Sequence, residues 1–131
     1  MARPLPQITG MNRYFWCGGS DGLLHILCCE DCGVYAHPYV GRCGACHSKN
    51  MAPKAVSGRG TVCGFTINHQ AWFPHVPTPY VIAYVELEEQ SDIRLASNIV
   101  NCPFEQVSIG MAVKVLFERH EDVFVPLFEP V

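Results

Sequence analysis

The rhythm of apolar and polar positions changes near residue 50. Before that point apolar runs are short and interrupted by turn residues; after it they recur as blocks rich in β-branched and aromatic side chains. Residues 1–10 are proline-bearing and read as an extended tail. From Met11 to Phe15 the apolar positions Met11, Tyr14 and Phe15 follow the i, i+3, i+4 spacing of one helical face, with Asn12 as a cap and Gly18-Gly19 as a stop. A helix this short is not stable alone. Its aromatic trio Tyr14, Phe15 and Trp16 must therefore pack on the body of the protein or on another chain, and a partner contact through Phe15 and Trp16 is the expectation. Leu23–Cys28 and Val34–Pro38 read as short strands flanking a tight turn at Cys29–Gly33. Polar residues 47–50 and the turn Ser57-Gly58-Arg59-Gly60 separate this region from the next.

Five strand blocks follow: Gly60–His69, Tyr80–Leu87, Ile93–Val100, Ala112–Glu118 and Val123–Phe128. The fourth alternates cleanly, with Val113, Val115 and Phe117 on one face, as a half-buried strand does. Pro103–Gly110, between the third and fourth, has room for one helical turn and a glycine hinge. Five strands with a helical interruption after the third fit a small closed barrel of the OB-fold layout. The predicted fold is thus mainly β: a tail and short helix over 1–22, a rubredoxin-like zinc ribbon over 23–50, and a five-stranded OB-fold barrel over 51–131.

A length of 131 residues fits one compact body. With 49% apolar and only 16% charged residues, the chain has a packed core and a surface short of charge, which predicts a binding partner. The net charge of −3 is unevenly spread. Residues 1–60 hold six Lys/Arg against three Asp/Glu, and residues 61–131 hold three against nine, so the barrel half carries −6. A phosphate backbone needs clustered cations, so this half is a poor nucleic-acid binder.

Six of the eight cysteines fall between residues 17 and 46. No apolar leader precedes them and no run reaches a membrane span, so the expected setting is a reducing cytoplasm, where disulfides are the weaker reading. Cys29-x-x-Cys32 and Cys43-x-x-Cys46 form two knuckles with ten residues between them. Each knuckle turns two thiolates toward one point, and two together supply the tetrahedral sulfur cage that zinc takes in structural sites; an iron site uses the same cage. Cys28 neighbours Cys29, but only Cys29 has the two-residue spacing to Cys32. His37 and His47 compete as ligands only if the cysteine set is incomplete. Four protein ligands leave the metal no open position for substrate, so the metal is structural and no catalytic residue is assigned. Cys63 reads as a core residue. Glu86, Glu88, Glu89 and Asp92 read as a solvated turn.

The loop Asn68–Pro79 holds three prolines, His69, His75, Trp72 and Phe73, and is long enough to be functional. His69, Trp72 and Phe73 are the weak candidates for ligand contact.

Several of these features recur in order: Tyr14-Phe15-Trp16, Cys29-x-x-Cys32-Gly33, Cys43-Gly44-x-Cys46, Ser57 to Val62, Pro79 to Leu87, and Ile109-Gly110-Met111 with Val113 and Val115. In this order, over about residues 11 to 130, the chain resembles the zinc-ribbon plus OB-fold proteins associated with acyl-CoA metabolism, long catalogued as a domain of unknown function. It departs from their pattern at Gly18-Gly19, Cys17 and Cys28. The resemblance implies a small accessory subunit that pairs with a thiolase-fold enzyme. That enzyme performs thiolase, acyltransferase or retro-aldolase chemistry, while this chain stabilises it and helps enclose an acyl-CoA. CoA phosphates would then be held by the partner or near Arg42, Lys49, Lys54 and Arg59, with Trp72 and Phe73 at most lining the acyl path. The alternative on the same fold is a free-standing single-stranded nucleic-acid-binding protein, which the −6 barrel disfavours.

Overall fold

The computed structural model describes residues 4–38, 41–74 and 76–131. One four-residue helix, α1 (Arg13–Trp16), precedes eight strands: β1 (Leu24–Cys29), β2 (Tyr35–Ala36), β3 (Met51–Val56), β4 (Arg59–Asn68), β5 (Tyr80–Leu87), β6 (Arg94–Ile99), β7 (Ala112–His120) and β8 (Val123–Pro130). The first three form an antiparallel sheet in the order β2-β1-β3. The last five close into a barrel in the order β4-β5-β6-β8-β7, with β7 pairing back onto β4 through Arg59–Thr61. The mainly β architecture with a five-stranded closed barrel is the one the strand blocks predict. A 3-10 turn at Phe104–Gln106 fills the expected interruption between β6 and β7. Among the described residues no helix is long and apolar enough to cross a membrane.

One detail of the N-terminal region differs from the sequence reading. Asn12 does not cap α1 through its side chain; its amide instead accepts from the Thr9 N–H and donates to the Gln7 carbonyl, pinning the tail. α1 ends at Trp16, ahead of Gly18-Gly19 as the sequence predicts, and the glycine pair carries the chain into a 3-10 turn over Gly18–Asp21. Gly19 is buried there, and a Cβ on it would lie 2.8 Å from the side chains of both Phe117 and Phe124. The glycine is present because the turn presses onto the barrel.

Met51–Val56 is a strand that the sequence reading lacks. It pairs along its length with β1, from Leu24↔Val56 to Cys29↔Met51, so the residues directly after the expected boundary at 50 pair with the ribbon sheet and not with a barrel strand. Only Ser57 and Gly58 then separate β3 from β4.

Ribbon and barrel share one core. Phe15, Leu24, Ile26 and Val56 belong to the same buried cluster as Val62, Val85, Val113 and Phe128 of the barrel. The aromatic trio of α1 is therefore used within the chain: Phe15 is 7% exposed, and Tyr14 and Trp16 pack against that core. Phe15 is thus covered by its own chain and is not free for the expected partner contact, whereas Trp16 remains only half-buried.

A polar clamp reinforces the junction. The Gln90 side chain, in the β5–β6 turn, accepts from the Tyr35 N–H at 2.8 Å and donates to the Tyr35 carbonyl at 2.9 Å. It thus supplies the missing strand at the edge of β2, 55 residues away in sequence. Replacing Gln90 with alanine is expected to cost about 2 kcal/mol, from two part-buried hydrogen bonds at about 1 kcal/mol each. Urea unfolding measures this, and an unchanged midpoint would show that water substitutes for the clamp.

Candidate metal centre and apolar groove

Each cysteine knuckle is a backbone device. In the first, the Gly33 N–H donates to the Cys29 carbonyl and Gly33 takes φ +80°; in the second, the His47 N–H donates to the Cys43 carbonyl and His47 takes φ +63°. The same four-residue return is made twice, once with glycine and once with a residue for which a left-handed conformation costs on the order of 1 kcal/mol. A side-chain bridge ties the knuckles together: Asp31 accepts from the Ser48 hydroxyl and, at 3.2 Å, from the Asn50 amide.

This arrangement brings Cys29, Cys32, Cys43 and Cys46 together, with all four sulfurs within 4.8 Å of one another. The Cys29–Cys46 and Cys32–Cys43 pairs are 3.6 and 3.5 Å apart. A tetrahedral cage with metal–sulfur bonds of about 2.3 Å has sulfur–sulfur edges of about 3.8 Å, so the donors fit a metal ion. Cys29 and Cys43 are buried and Cys32 and Cys46 exposed.

The electrostatics of the thiols would favour a cation there. Backbone N–H groups of Cys46 and Ala45 point at the Cys43 sulfur and hold its pKa down at about 6. The N–H of Cys32, followed by that of Asp31, lowers Cys29. At Cys32 the N–H of Val34 favours the thiolate, but the Cys43 sulfur, burial and the other two sulfurs outweigh it and raise the thiol to about 12. Cys46 is also raised: the Ser48 N–H and Cys32 favour its thiolate, but Cys29, burial and Cys43 together outweigh them. Four sulfurs this close cannot all ionise without a compensating positive charge.

Neither histidine considered as a competing ligand belongs to the sulfur cluster. His37 stacks on Phe15 with centroids 4.8 Å apart, and burial lowers its pKa, which favours the neutral ring. Cys28 is buried beside the cage, its thiol donating to the carbonyls of Cys29 and Gly33. Cys63 is half-buried and donates to the Tyr84 carbonyl.

A second feature lies at one end of the barrel. The long loop, the start of β5 and the residues after β6 enclose a groove of about 700 Å³ whose walls include Phe73, Val76, Tyr80, Ile82, Val100 and Phe104. No Lys, Arg, Asp or Glu is among its described lining residues. The two asparagines in the wall are used within the protein: Asn98 donates to the Val81 carbonyl at 2.7 Å and Asn101 to Glu129 at 2.6 Å. Such a groove suits hydrocarbon and disfavours phosphate.

The three loop candidates separate here. Phe73 lines the groove; His69 stands edge-on to the wall residue Phe104, with centroids 6.0 Å apart; Trp72 is 69% exposed and is not part of the lining. His75 lies outside the described residues. The residues from Asn98 to Phe104 carry no motif, and only the fold brings them to the groove. Asp31, Ser48 and Gln90 also have no signal in the sequence, because their partners are distant in it.

Residues 53–118 match the family profile described as ChsH2, C-terminal OB-fold domain. A relative named probable enoyl-CoA hydratase alpha subunit, from Thermomonospora curvata, is 30% identical over 98% of this chain and 40% of its own length. A DUF35 domain-containing scaffold protein from Methanocaldococcus jannaschii is 37% identical over 70% of this chain and 64% of that protein. The chain thus spans less than two thirds of the length of either. A solved structure described as Ltp2-ChsH2(DUF35) aldolase has a TM-score of 0.86 and 28% identity, and the match covers 96% of this chain and 98% of that one. With a ChsH2-type barrel, relatives of this description and a near end-to-end structural match, the chain belongs to the DUF35 family.

Proposed function

We propose that the chain is a non-catalytic accessory subunit of a thiolase-superfamily complex that makes or breaks carbon–carbon bonds in acyl-CoA or related acyl substrates. One observation carries this reading: the superposition, over nearly the full length of both chains, on the DUF35 chain of an aldolase. In this reading zinc is held by Cys29, Cys32, Cys43 and Cys46 as a structural ion, since a full set of four sulfurs leaves no position for substrate. The subunit stabilises its partner and helps enclose the substrate. The apolar groove lined by Phe73 takes the hydrocarbon part of the acyl group, and the CoA phosphates are held by the partner or on the ribbon side, where the positive charge of this chain lies.

Two measurements test the proposal. Co-expression with a candidate thiolase-fold partner should yield a complex of fixed ratio. Calorimetric titration with an acyl-CoA should show weak or no binding to the isolated chain and clear binding to the complex. A micromolar or tighter affinity of the chain alone, about −8 kcal/mol or better, would instead make it an independent acyl-CoA-binding protein. Retention on single-stranded DNA at physiological salt would favour the nucleic-acid reading.

A further inference from the structure

The barrel is closed by a short contact, and that leaves one strand edge open. β4 pairs with β7 only through Arg59, Gly60 and Thr61. One residue further on, Val62 donates to the Met111 carbonyl and accepts from the Gly110 N–H, and there the neighbouring chain leaves β4. β4 itself continues to Asn68, paired with β5 on its other side.

The direction of the backbone groups on this open half follows from the ladder. Because Val62 spends both its groups toward Gly110 and Met111, its opposite residue Val85 turns its own toward β6. Alternation along β5 then turns Tyr84 and Ile82 toward β4, where they face Gly64 and Thr66 across the register shift at Val62/Gly64. The Tyr84 carbonyl indeed accepts from the Cys63 thiol on the β4 side, and the Val81 carbonyl from Asn98 on the β6 side. Phe65, opposite Ala83, and Ile67, opposite Val81, therefore aim their N–H and C=O groups away from β5. Among the described residues no backbone hydrogen bond meets them there.

Unpaired strand edges are normally blunted by charge, proline or cover, because they template pairing with another chain. Cys63–Asn68 holds no charged residue and no proline. Phe65, on the same face as the buried Ala83, remains 37% exposed, and Ile109, where the neighbouring chain departs, is 70% exposed. This edge thus offers four aligned backbone groups with an apolar ring beside them. That chemistry recognises an extended polypeptide and not a small molecule.

We propose that the outer edge of β4, Cys63–Asn68, is a strand-addition site for an extended segment of the thiolase-fold partner. The identity of the partner rests on the function proposed above. The added strand hydrogen-bonds to Phe65 and Ile67 and places apolar side chains on the Phe65 face. On its other face it lies beside Gly64 and Thr66, where Gly64 leaves room for a large side chain.

The test uses the full chain, free and in the co-expressed complex, with amide hydrogen exchange as the readout. The amides of Phe65 and Ile67 are expected to slow by about 100-fold or more on complex formation, while those of Gly64 and Thr66, already bonded to β5, change little. Phe65→Pro removes an outward N–H that the barrel does not use, and should weaken the complex by at least about tenfold with the melting temperature nearly kept. Phe65→Lys, which keeps the N–H but charges the edge, should weaken it too and guards against a folding defect in the proline variant. A complex that forms with Phe65 and Ile67 exchanging as in the free chain overturns the inference and leaves the partner reading intact. Protection of the same amides in a homodimer of the free chain overturns the assignment of the occupant. Failure to form any complex overturns both.

Discussion

Cys32→Ser is expected to strip the metal and unfold the ribbon. A serine hydroxyl is neutral at neutral pH and is a poor ligand for a soft-leaning ion, so the cage loses both a donor and a negative charge. Binding free energy at a structural zinc site is folding free energy, with apparent values of about 10–16 kcal/mol in small zinc modules. Among the described residues nothing else in the ribbon offers a comparable sum: its sheet is three strands, one of them only two residues long. The loss should also reach the barrel, because Leu24, Ile26 and Val56 of the ribbon sit in the common core. Metal analysis of protein purified without chelator should find one zinc per chain in the parent and less than stoichiometric metal in Cys32→Ser, with accelerated proteolysis between residues 29 and 50. A parent chain without zinc or iron would sink the metal assignment.

Phe15→Ala should be among the most damaging substitutions outside the cage, at about 3–5 kcal/mol. The ring meets Trp16 edge-on, with centroids 4.8 Å apart and planes at 90°, and also packs on His37 with centroids 4.8 Å apart. It also belongs to the core that joins the two sheets, so truncation opens a cavity where neither module can collapse alone. Met11→Ala, at a position 63% exposed and outside that core, should change stability by no more than about 0.5 kcal/mol. Chemical unfolding of both variants measures the contrast. If Phe15→Ala were as stable as the parent but failed to assemble with the partner, the ring would be an interface anchor after all.

How much could be read from the chain depends on the range of the interaction that decides each element. The barrel strands follow from local alternation, and Tyr80–Leu87 appears in the structure with the bounds its β-branched run predicts. Both knuckles were legible because a thiol pair two residues apart is a local signature, and their convergence needs only that both turns belong to one sheet region. β3 was hidden because Met-Ala-Pro-Lys-Ala-Val lacks alternation and contains Pro53. It is tolerated because β3 is an outer strand, paired on one side only, where an N–H can be missing. The use of Phe15 was ambiguous for a different reason: three aromatics on a short helix state that something must cover them, and only the tertiary structure says what. The groove and the Gln90 clamp join residues that only the closed barrel makes neighbours.

The barrel wall is not equally stiff all round. β6 and β8 touch in parallel through the single pair Ile99↔Phe128, helped by the Val100 N–H on the Phe128 carbonyl and the Ser97 hydroxyl on the Pro126 carbonyl at 2.8 Å. β7 and β8, by contrast, are paired over eight positions. Under thermal agitation the barrel should breathe by parting at this thin weld, as a stave loosens from a cask at its weakest joint. Ile99 and Val100 stand both at the weld and in the wall of the apolar groove, and Pro4 lines that groove as well as the smaller hollow over β6 and β8. The tail thus lies across the joint like a hoop, where its grip would limit how far the groove can widen.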